Sequence, residues 1–265
     1  MSLNLDSVNG KIQRAEHHNQ FLSDEIAAWM ATNSYTTRQV VSPNKKRFSI
    51  VADLVGSEPP VKTWTLVVGD CLHNLRCALD HLVFAIAVHQ SGTTSPPDEH
   101  RFQFPIADSH ANFQKSVSRI VSLSAPVQSA IEAIQPYNRP HPKLPPPLSI
   151  LRDLENVDKH RFLRLAYAGI GDIDVELRAR TGPKPTEIAH EGEIKNGTEI
   201  VAYEFPAPNP DAHFVRTNMD LMISLWHGKK NPTDHAWHER NEVHTVLKLL
   251  ADEVQAVVTA VAPVA

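Results

Sequence analysis

Apolar residues recur at helical spacing over four long stretches of this chain, and each stretch predicts an amphipathic helix. The first runs from about Val8 to Thr32, and the second from Val61 to about Gln90. The third covers Leu148–Arg161, and the fourth, His238–Val261, has the strongest apolar stripe. The stripe of the fourth helix consists of Val243, Val246, Leu247, Leu250, Val254, Val257, Val258 and Val261. Four long helices with one apolar face each predict a helical bundle.

Two shorter helices are predicted between the second and third long ones, at Ser109–Val121 and Pro126–Ile134. Proline near the start of the second of these suits the first turn of a helix. Ser7 or Asn9 is the expected cap of the first long helix, because a short polar side chain can accept a hydrogen bond from the free backbone N–H groups there.

After residue 161 the pattern changes from helical spacing to alternation, which predicts strands. Asn196–Gly197 is a strong hairpin signal, because both residues tolerate the left-handed backbone of a tight turn. The tetrapeptide GIGD is expected to form another turn. The strands expected around these turns are Phe162–Ala168, Ile173–Ala179, Glu187–Ile194, Glu199–Phe205 and Phe214–Trp226, and Arg47–Val55 is a further short candidate.

These elements predict an α+β protein: mainly an α-helical bundle, with an antiparallel β-sheet inserted before the C-terminal helix. Residues 1–161 would form the bundle core, and residues 162–230 would form the sheet segment. Residues 231–265 would provide a C-terminal helix that packs back on the bundle, within one compact domain.

Composition indicates an ordinary soluble chain, since 42% of the 265 residues are hydrophobic and 21% are charged. The net charge of −4 gives no overall basic footprint for nucleic acid, so RNA binding would need a local patch. No signal peptide and no apolar run of about 18 residues is expected, which predicts no membrane segment. Cys71 and Cys77 lie on different sides of one predicted helix, so the expected location is the reducing cytoplasm.

The second long helix carries a rich polar face opposite its apolar stripe. An ordinary surface helix presents Lys and Glu on its polar face, whereas the polar residues of this helix are of types that bind metals, transfer protons or hold phosphates. The apolar stripe is Leu72, Leu75, Leu79, Leu82, Val83 and Ile86. The polar face is Asp70, His73, Asn74, Arg76, Cys77, Asp80 and His81. This polar face is therefore the candidate site.

One interpretation of the polar face is a metal site. His73, Cys77 and His81 follow one line at i, i+4 and i+8, and i, i+4 pairs are how one helix brings two ligands to a metal. A straight helix cannot bring all three to one ion, so further ligands are needed from elsewhere. The expected ligands of a divalent metal such as zinc are Asp70, His73, His81 and His160. The alternative is that hydrogen bonds from this face only hold the helix to its neighbours.

Arg76 and His81 are separated by four residues, in the spacing Arg-x4-His. This pattern resembles the Arg-x4-6-His motif of HEPN domains, which are helical bundles. Many HEPN domains are metal-independent ribonucleases that act as dimers. The resemblance implies that Arg76 holds the scissile phosphate of RNA, that His81 transfers a proton, and that the protein is a homodimer without a cofactor. The roles are chemically apt, because cleavage through the 2′-OH needs proton transfer and a cation.

Four further motifs resemble those of a family of uncharacterised bacterial proteins. They are LHNLRCALDH at Leu72–His81, FPI at Phe104–Ile106, QPY at Gln135–Tyr137 and NVDKHR at Asn156–Arg161. The motifs span about the first 160 residues. This resemblance implies common ancestry and a common fold, and it implies no activity.

The NVDKHR motif ends the third long helix, with Asp158 on the same side as Leu154. Asp158 is therefore expected to point inward, where a buried carboxylate needs a partner such as Arg76 or His81. The two motifs would then form one constellation. Its predicted catalytic residues are Arg76, His81, Asp80 and Asp158, and its predicted binding residues are Asn74, Asn156 and His160.

Three functions remain open on this evidence. The chain is a HEPN-like ribonuclease, a metal-dependent hydrolase with a His/Asp site in the bundle, or a non-catalytic helical protein that binds a ligand or partner. The ribonuclease is the preferred hypothesis, because it gives a role to particular residues.

Overall fold

The computed structural model describes residues 3–139, 145–160, 164–190, 194–226 and 242–265. Its helices are α1 (Asp6–Met30), α2 (Val61–Ser91), α3 (His110–Ser116), α4 (Ala125–Ala133), α5 (Pro147–His160) and α6 (Val243–Val261). Its strands are β1 (Ser34–Val41), β2 (Arg47–Val55), β3 (Arg164–Arg178), β4 (Thr186–Ala189), β5 (Glu199–Glu204) and β6 (His213–Trp226). The predicted α+β class is confirmed.

The chain folds into two compact units. The first, called the helical unit below, consists of Met1–Ser23, Thr63–Leu163 and His244–Ala265. The second, called the sheet unit, consists of Asp24–Lys62 and Arg164–Val243. The last helix therefore belongs with the first part of the chain, while the segment after Ser23 belongs with the strands.

The helical unit is built around α2. The stripe predicted on α2 is confirmed, since all six of its positions are fully buried. The stripe predicted on α6 is also confirmed, with every one of its eight residues buried. Residues 238–241, the predicted first turn of that helix, lie outside the described residues. Burial of one face on each helix supplies the apolar area that stabilises the unit.

Helix α2 is also long and apolar enough to cross a membrane, by length and composition alone. However, 61% of its most apolar 18-residue window is buried inside the protein. Among the described residues no other helix meets the same criterion. This burial is that of a core helix in a soluble protein, so packing accounts for the apolar character of α2.

Two predicted helix starts differ in outcome. Helix α3 begins at His110, one residue after the predicted start, and Ser109 caps it by accepting a hydrogen bond from the backbone N–H of Asn112 at 3.2 Å. The expected cap of α1 was wrong, because α1 begins at Asp6, whose N–H donates to the side chain of Asn4. Ser7 thus lies inside the first turn, where its hydroxyl can reach another helix.

The sheet unit contains a four-stranded antiparallel sheet in the order β1-β2-β5-β4 and an antiparallel pair, β3-β6. The predicted hairpin is confirmed: β4 pairs with β5, and Gly197 between them has a φ of +82°. The strands enclose a core of buried residues, which are Phe48, Ile50, Ala52, Ile194, Ile200, Val201, Tyr203, Phe205 and Ala212.

Two expectations about the strands were wrong. The sheet is not confined to residues after 161: the predicted strand Arg47–Val55 is confirmed as β2, and it pairs with β1, which was not predicted, so that these two strands form half of the four-stranded sheet. The GIGD tetrapeptide is not a turn, because β3 runs through it as one strand of 15 residues. The register of pairing with β6 shifts between Ala166 and Gly169 and between Ile170 and Asp172. The two glycines therefore lie at irregularities within a continuous strand and not in a turn.

Candidate functional site

The polar face of α2 divides into buried and exposed residues. Arg76 and Asn74 are buried, with 8% and 9% of their surface exposed. Asp70 and His73 are exposed, and His81 is half-buried. Since these residues lie on one helix, their different burial reflects different neighbours, and the face serves two separate arrangements.

The first arrangement is an ion pair that grips the backbone. The guanidinium of Arg76 donates from Nη2 to Asp80 Oδ1 at 2.9 Å and to the carbonyl oxygen of Phe104 at 2.7 Å. Asp80 Oδ1 also accepts from the N–H of Phe104 at 2.8 Å. Both backbone polar groups of Phe104 are therefore bound by this one pair of side chains.

Gln135 grips the next residues of the same segment, Phe104–Asp108, which we call the FPIAD segment. Its side chain is fully buried. Gln135 Oε1 accepts from the N–H of Ala107 at 2.9 Å, and Nε2 donates to the carbonyls of Pro105 and Ile131, each at 3.0 Å. One amide thus satisfies three backbone groups that have no access to water.

Helix α5 holds the end of the FPIAD segment. Ser149 Oγ donates to Asp108 Oδ1 at 2.5 Å, and Arg152 Nη1 lies 2.7 Å from Asp108 Oδ2. The segment is thereby tied to α2, to Gln135 just after α4, and to α5. Side chains replace the strand partner that an extended backbone otherwise needs.

Arg76 is therefore occupied within the protein. Its side chain is 9% exposed and its charge is balanced by Asp80. Burial lowers the pKa of the Arg76 guanidinium, whereas the negative charges of Asp80 and then Glu155 act to raise it. Arginine remains protonated in proteins even so, and the group acts here as a fixed donor to the FPIAD segment.

The second arrangement joins α1 to α2 around His81. Ser7 Oγ lies 2.7 Å from Nδ1 of the His81 ring. Burial lowers the pKa of His81 below its ordinary value of 6.5, the positive charge of Lys11 lowers it further, and Asp80 opposes both. The lowered pKa of His81 favours the neutral imidazole at neutral pH, and Nδ1 is the ring nitrogen in contact with Ser7.

Lys11, one turn beyond Ser7, is held by an amide. Its Nζ donates to Asn74 Oδ1 at 3.2 Å, and Asn74 Nδ2 donates to the carbonyl oxygen of Asp70 at 2.7 Å. The second bond fixes the orientation of the Asn74 amide and turns its oxygen toward Lys11. An amide orients the ammonium without cancelling its charge, as a carboxylate would.

Asp158 does not take the predicted place. It is exposed rather than buried, and its carboxylate lies beside Gly69, where a Cβ would come within 2.9 Å of Oδ2. Although the residue as a whole is exposed, the contact of its carboxylate with α2 partly desolvates that group and raises the pKa of the Asp158 carboxyl, Glu155 and Asp70 raise it further, and His73 lowers it. The expected contact with Arg76 or His81 was wrong, because the Asp158 carboxylate lies beside Gly69, about two turns of α2 before Arg76 and further still from His81 along the helix.

The two predicted binding residues of the NVDKHR motif, Asn156 and His160, make no described contact with His81. Asn156 is exposed on α5. His160 is the last residue of α5, and its side chain lies outside the described part of the structure. Neither is therefore part of the arrangement around His81 as the structure describes it.

The predicted metal ligands do not form a group within the described residues. His73 Nε2 lies 3.4 Å from Cys77 Sγ, one turn along α2. Yet no three His, Cys, Asp or Glu side chains in the described ranges are close enough to hold a metal ion. Nδ1 of His81 contacts Ser7 Oγ instead.

The two cysteines differ sharply in their surroundings, which yields a first prediction. Cys71 is buried and its Sγ lies 3.4 Å from the carbonyl oxygen of Ala15, and burial raises the pKa of its thiol to about 12. Cys77 is partly exposed. Titration of the native protein with Ellman's reagent at pH 8 is expected to release one equivalent, and two after unfolding. Retention of a single native equivalent in Cys71→Ser, and its loss in Cys77→Ser, would identify the reactive thiol.

Sequence reasoning missed three residues that the structure places at these arrangements. Ser7 was assigned only to capping, Lys11 was not singled out, and Gln135 entered only as part of the QPY motif. A usable signal exists for the first two, because Ser7 and Lys11 are four residues apart and share a face of α1. Gln135 gives no such signal, since all its partners are backbone groups.

No family model, no curated protein and no solved structure matches this chain. The function must therefore be argued from the residues themselves.

Proposed function

We propose that this protein is a HEPN-like ribonuclease that cleaves RNA phosphodiesters without a metal, with His81 as the group that transfers the proton. The observation that carries the proposal is the state of His81. Its ring is half-buried, its Nδ1 lies 2.7 Å from Ser7 Oγ, and burial and the nearby charge of Lys11 lower its pKa, which favours the neutral imidazole. A neutral histidine at physiological pH is a ready proton acceptor.

The chemistry assigned to His81 follows from its geometry. The proposal uses the tautomer in which Nδ1 carries the ring hydrogen and donates it to Ser7 Oγ, because the lone pair of Nε2 is then free to accept a proton from a substrate. Nε2 takes the proton of the ribose 2′-OH as the oxygen attacks the adjacent phosphorus. The bond from phosphorus to the 5′-oxygen breaks, that oxygen takes a proton from water, and a 2′,3′-cyclic phosphate forms. His81 then returns its proton to solvent.

The second prediction tests this role. In excess EDTA, wild-type protein is expected to cleave labelled single-stranded RNA, and His81→Gln is expected to lose at least about 100-fold in kcat/KM. His110→Gln, which changes an exposed histidine of α3, is the matched control and should retain full activity. Because the pKa of His81 is lowered, kcat/KM should rise with pH and level off before about pH 6.5.

The outcome that contradicts the proposal is equally definite. Absence of cleavage by wild-type protein, or equal cleavage by His81→Gln, would remove His81 from catalysis. Thermal unfolding followed by circular dichroism shows whether both variants are folded, so that a loss of activity is assigned to the side chain.

Oligomeric state and location form part of the same proposal. HEPN ribonucleases act as dimers, so we propose a homodimer, which light scattering coupled to size exclusion would detect. Neither cysteine of the described chain forms a disulfide, which suits the reducing cytoplasm as the place where the protein acts on RNA.

The grip of Arg76 and Asp80 on Phe104 favours a second candidate, the non-catalytic helical protein. In that case the motif arginine serves only the fold, and the polar face is a structural network with a binding role at most. RNA cleavage in EDTA separates the two candidates, because only the ribonuclease predicts it. The metal-dependent hydrolase is less well supported, since the described residues offer no three-ligand group.

A further inference from the structure

The resemblance to HEPN domains gives the phosphate to Arg76, but the structure leaves this arginine little freedom to bind it. Its guanidinium donates hydrogen bonds to Asp80 and to the carbonyl oxygen of Phe104. Both bonds come from Nη2, and the side chain is only 9% exposed, so a substrate phosphate could reach the other guanidinium donors only by displacing the residues that cover them. A phosphate near His81 therefore needs another cation.

We propose that Lys11 binds the phosphate group of the substrate, in the place that the resemblance assigns to Arg76. This inference rests on the proposed function for its substrate class, an RNA phosphodiester. Lys11 and Ser7 lie one turn apart on α1, and Ser7 contacts His81, so the ammonium and the imidazole border the same side of α2.

The charges around His81 support this assignment. The two charged groups that act on it are Lys11 and Asp80. Asp80 is already paired with Arg76 and with the N–H of Phe104. Lys11 is held by the neutral amide of Asn74. Within the part of the chain that the structure describes, Asp80 has a counter-charge in direct contact and Lys11 has none, so the surroundings of His81 favour an anion.

Asn74 adds a positioning role. It is buried, and its bond to the carbonyl oxygen of Asp70 fixes which end of the amide faces Lys11. A long lysine side chain loses considerable freedom when it is held in one place. Because Asn74 orients the ammonium in advance, less of that loss falls on phosphate binding, as in other preorganised sites.

The test uses inorganic phosphate as the probe and an NMR titration of the His81 ring as the readout, so it does not require activity. In wild-type protein, phosphate bound beside the ring is expected to raise the pKa of His81. In Lys11→Met that response should be lost, and without phosphate the pKa should already be higher because a neighbouring positive charge is gone. Lys115→Met, an exposed lysine of α3, is the matched control and should behave as wild type.

RNA cleavage measured on the same variants separates the inference from the proposed function. We expect Lys11→Met to lose roughly tenfold to a hundredfold in kcat/KM, the range of one charge-assisted hydrogen bond. A phosphate response that depends on Lys11 in a protein that cleaves no RNA would support the anion site and overturn the ribonuclease. A phosphate response unchanged in Lys11→Met, or absent in wild type, would overturn the inference even if RNA is cleaved.

Discussion

Replacing Gln135 with leucine is expected to destabilise the helical unit by about 4 kcal/mol, although the two side chains are similar in size. Because the two side chains have similar volumes, the substitution leaves no cavity. It removes the partner of the Ala107 N–H and of the Pro105 and Ile131 carbonyls. A buried backbone group left without a partner costs about 1–3 kcal/mol, and the side chain is fully buried, so water cannot substitute.

The matched control is Gln128→Leu on α4. Gln128 also donates to two backbone carbonyls, of Val121 and Leu123, but it is only half-buried. Water can reach its partners, so a loss below about 1 kcal/mol is expected. Urea unfolding followed by circular dichroism measures both changes. Equal losses in the two variants would show that burial does not set the cost.

Gln135→Glu sharpens the same experiment, because the shape is kept and only the donor is lost. An ionised carboxylate would face the carbonyls of Pro105 and Ile131. Burial and those carbonyls should raise the pKa of the new carboxyl above that of the unfolded chain. The folded state then binds more protons than the unfolded state. The loss in free energy of unfolding relative to wild type is therefore smallest below about pH 4.3 and grows as pH rises through the raised pKa.

The side chains of Arg76, Asp80 and Gln135, which we call the clamp on the FPIAD segment, give a physical account of three of the sequence motifs. Arg76 and Asp80 belong to the LHNLRCALDH motif, Gln135 to QPY, and the FPI motif is the segment that they hold. The side chains of FPI take no part in these hydrogen bonds, because the bonds are made to its backbone. These motifs therefore meet at one structural contact of the helical unit, whereas the sequence alone presented them only as signs of a common fold.

The buried faces were predictable because they depend on period alone. Leu72, Leu79 and Ile86 of α2 repeat every seven residues, and this spacing places them on one side of any helix. The strand β1 was missed because its alternation gives positions that are half-buried or exposed rather than a buried row. Its neighbour β2 has a run of buried residues and was recognisable as a strand.

The contacts of the candidate site were not predictable in the same way. Ser7 and His81 are 74 residues apart, and no local pattern links them. The principal partner of Arg76 outside its own helix is a carbonyl oxygen, which every residue possesses and no sequence displays. Spacing thus identified the helix that carries the site, whereas packing decided which residues share it.

Replacing Arg76 with methionine is expected to cost about 3 kcal/mol of stability, with a fall in melting temperature of roughly 10 °C. Methionine keeps most of the apolar stem but leaves the Asp80 carboxylate without its cation and the Phe104 carbonyl without its donor. Breaking a fully buried pair costs about 3–5 kcal/mol, and the lower end applies because Asp80 is 27% exposed.

Arg101→Met is the control, since Arg101 pairs with Asp98 at 3.8 Å and its side chain is 59% exposed. Exposed pairs of this kind contribute about 0–1 kcal/mol, so little change is expected. Asp80→Asn, combined with Arg76→Met, removes the uncompensated charge and keeps an acceptor for the Phe104 N–H. The double variant should therefore be more stable than Arg76→Met alone, and additive losses in this cycle would contradict the coupling that the clamp requires.

RNA cleavage by Arg76→Met, assayed below its melting temperature, should remain within about threefold of wild type, because a structural arginine changes stability whereas a phosphate-binding arginine changes kcat/KM.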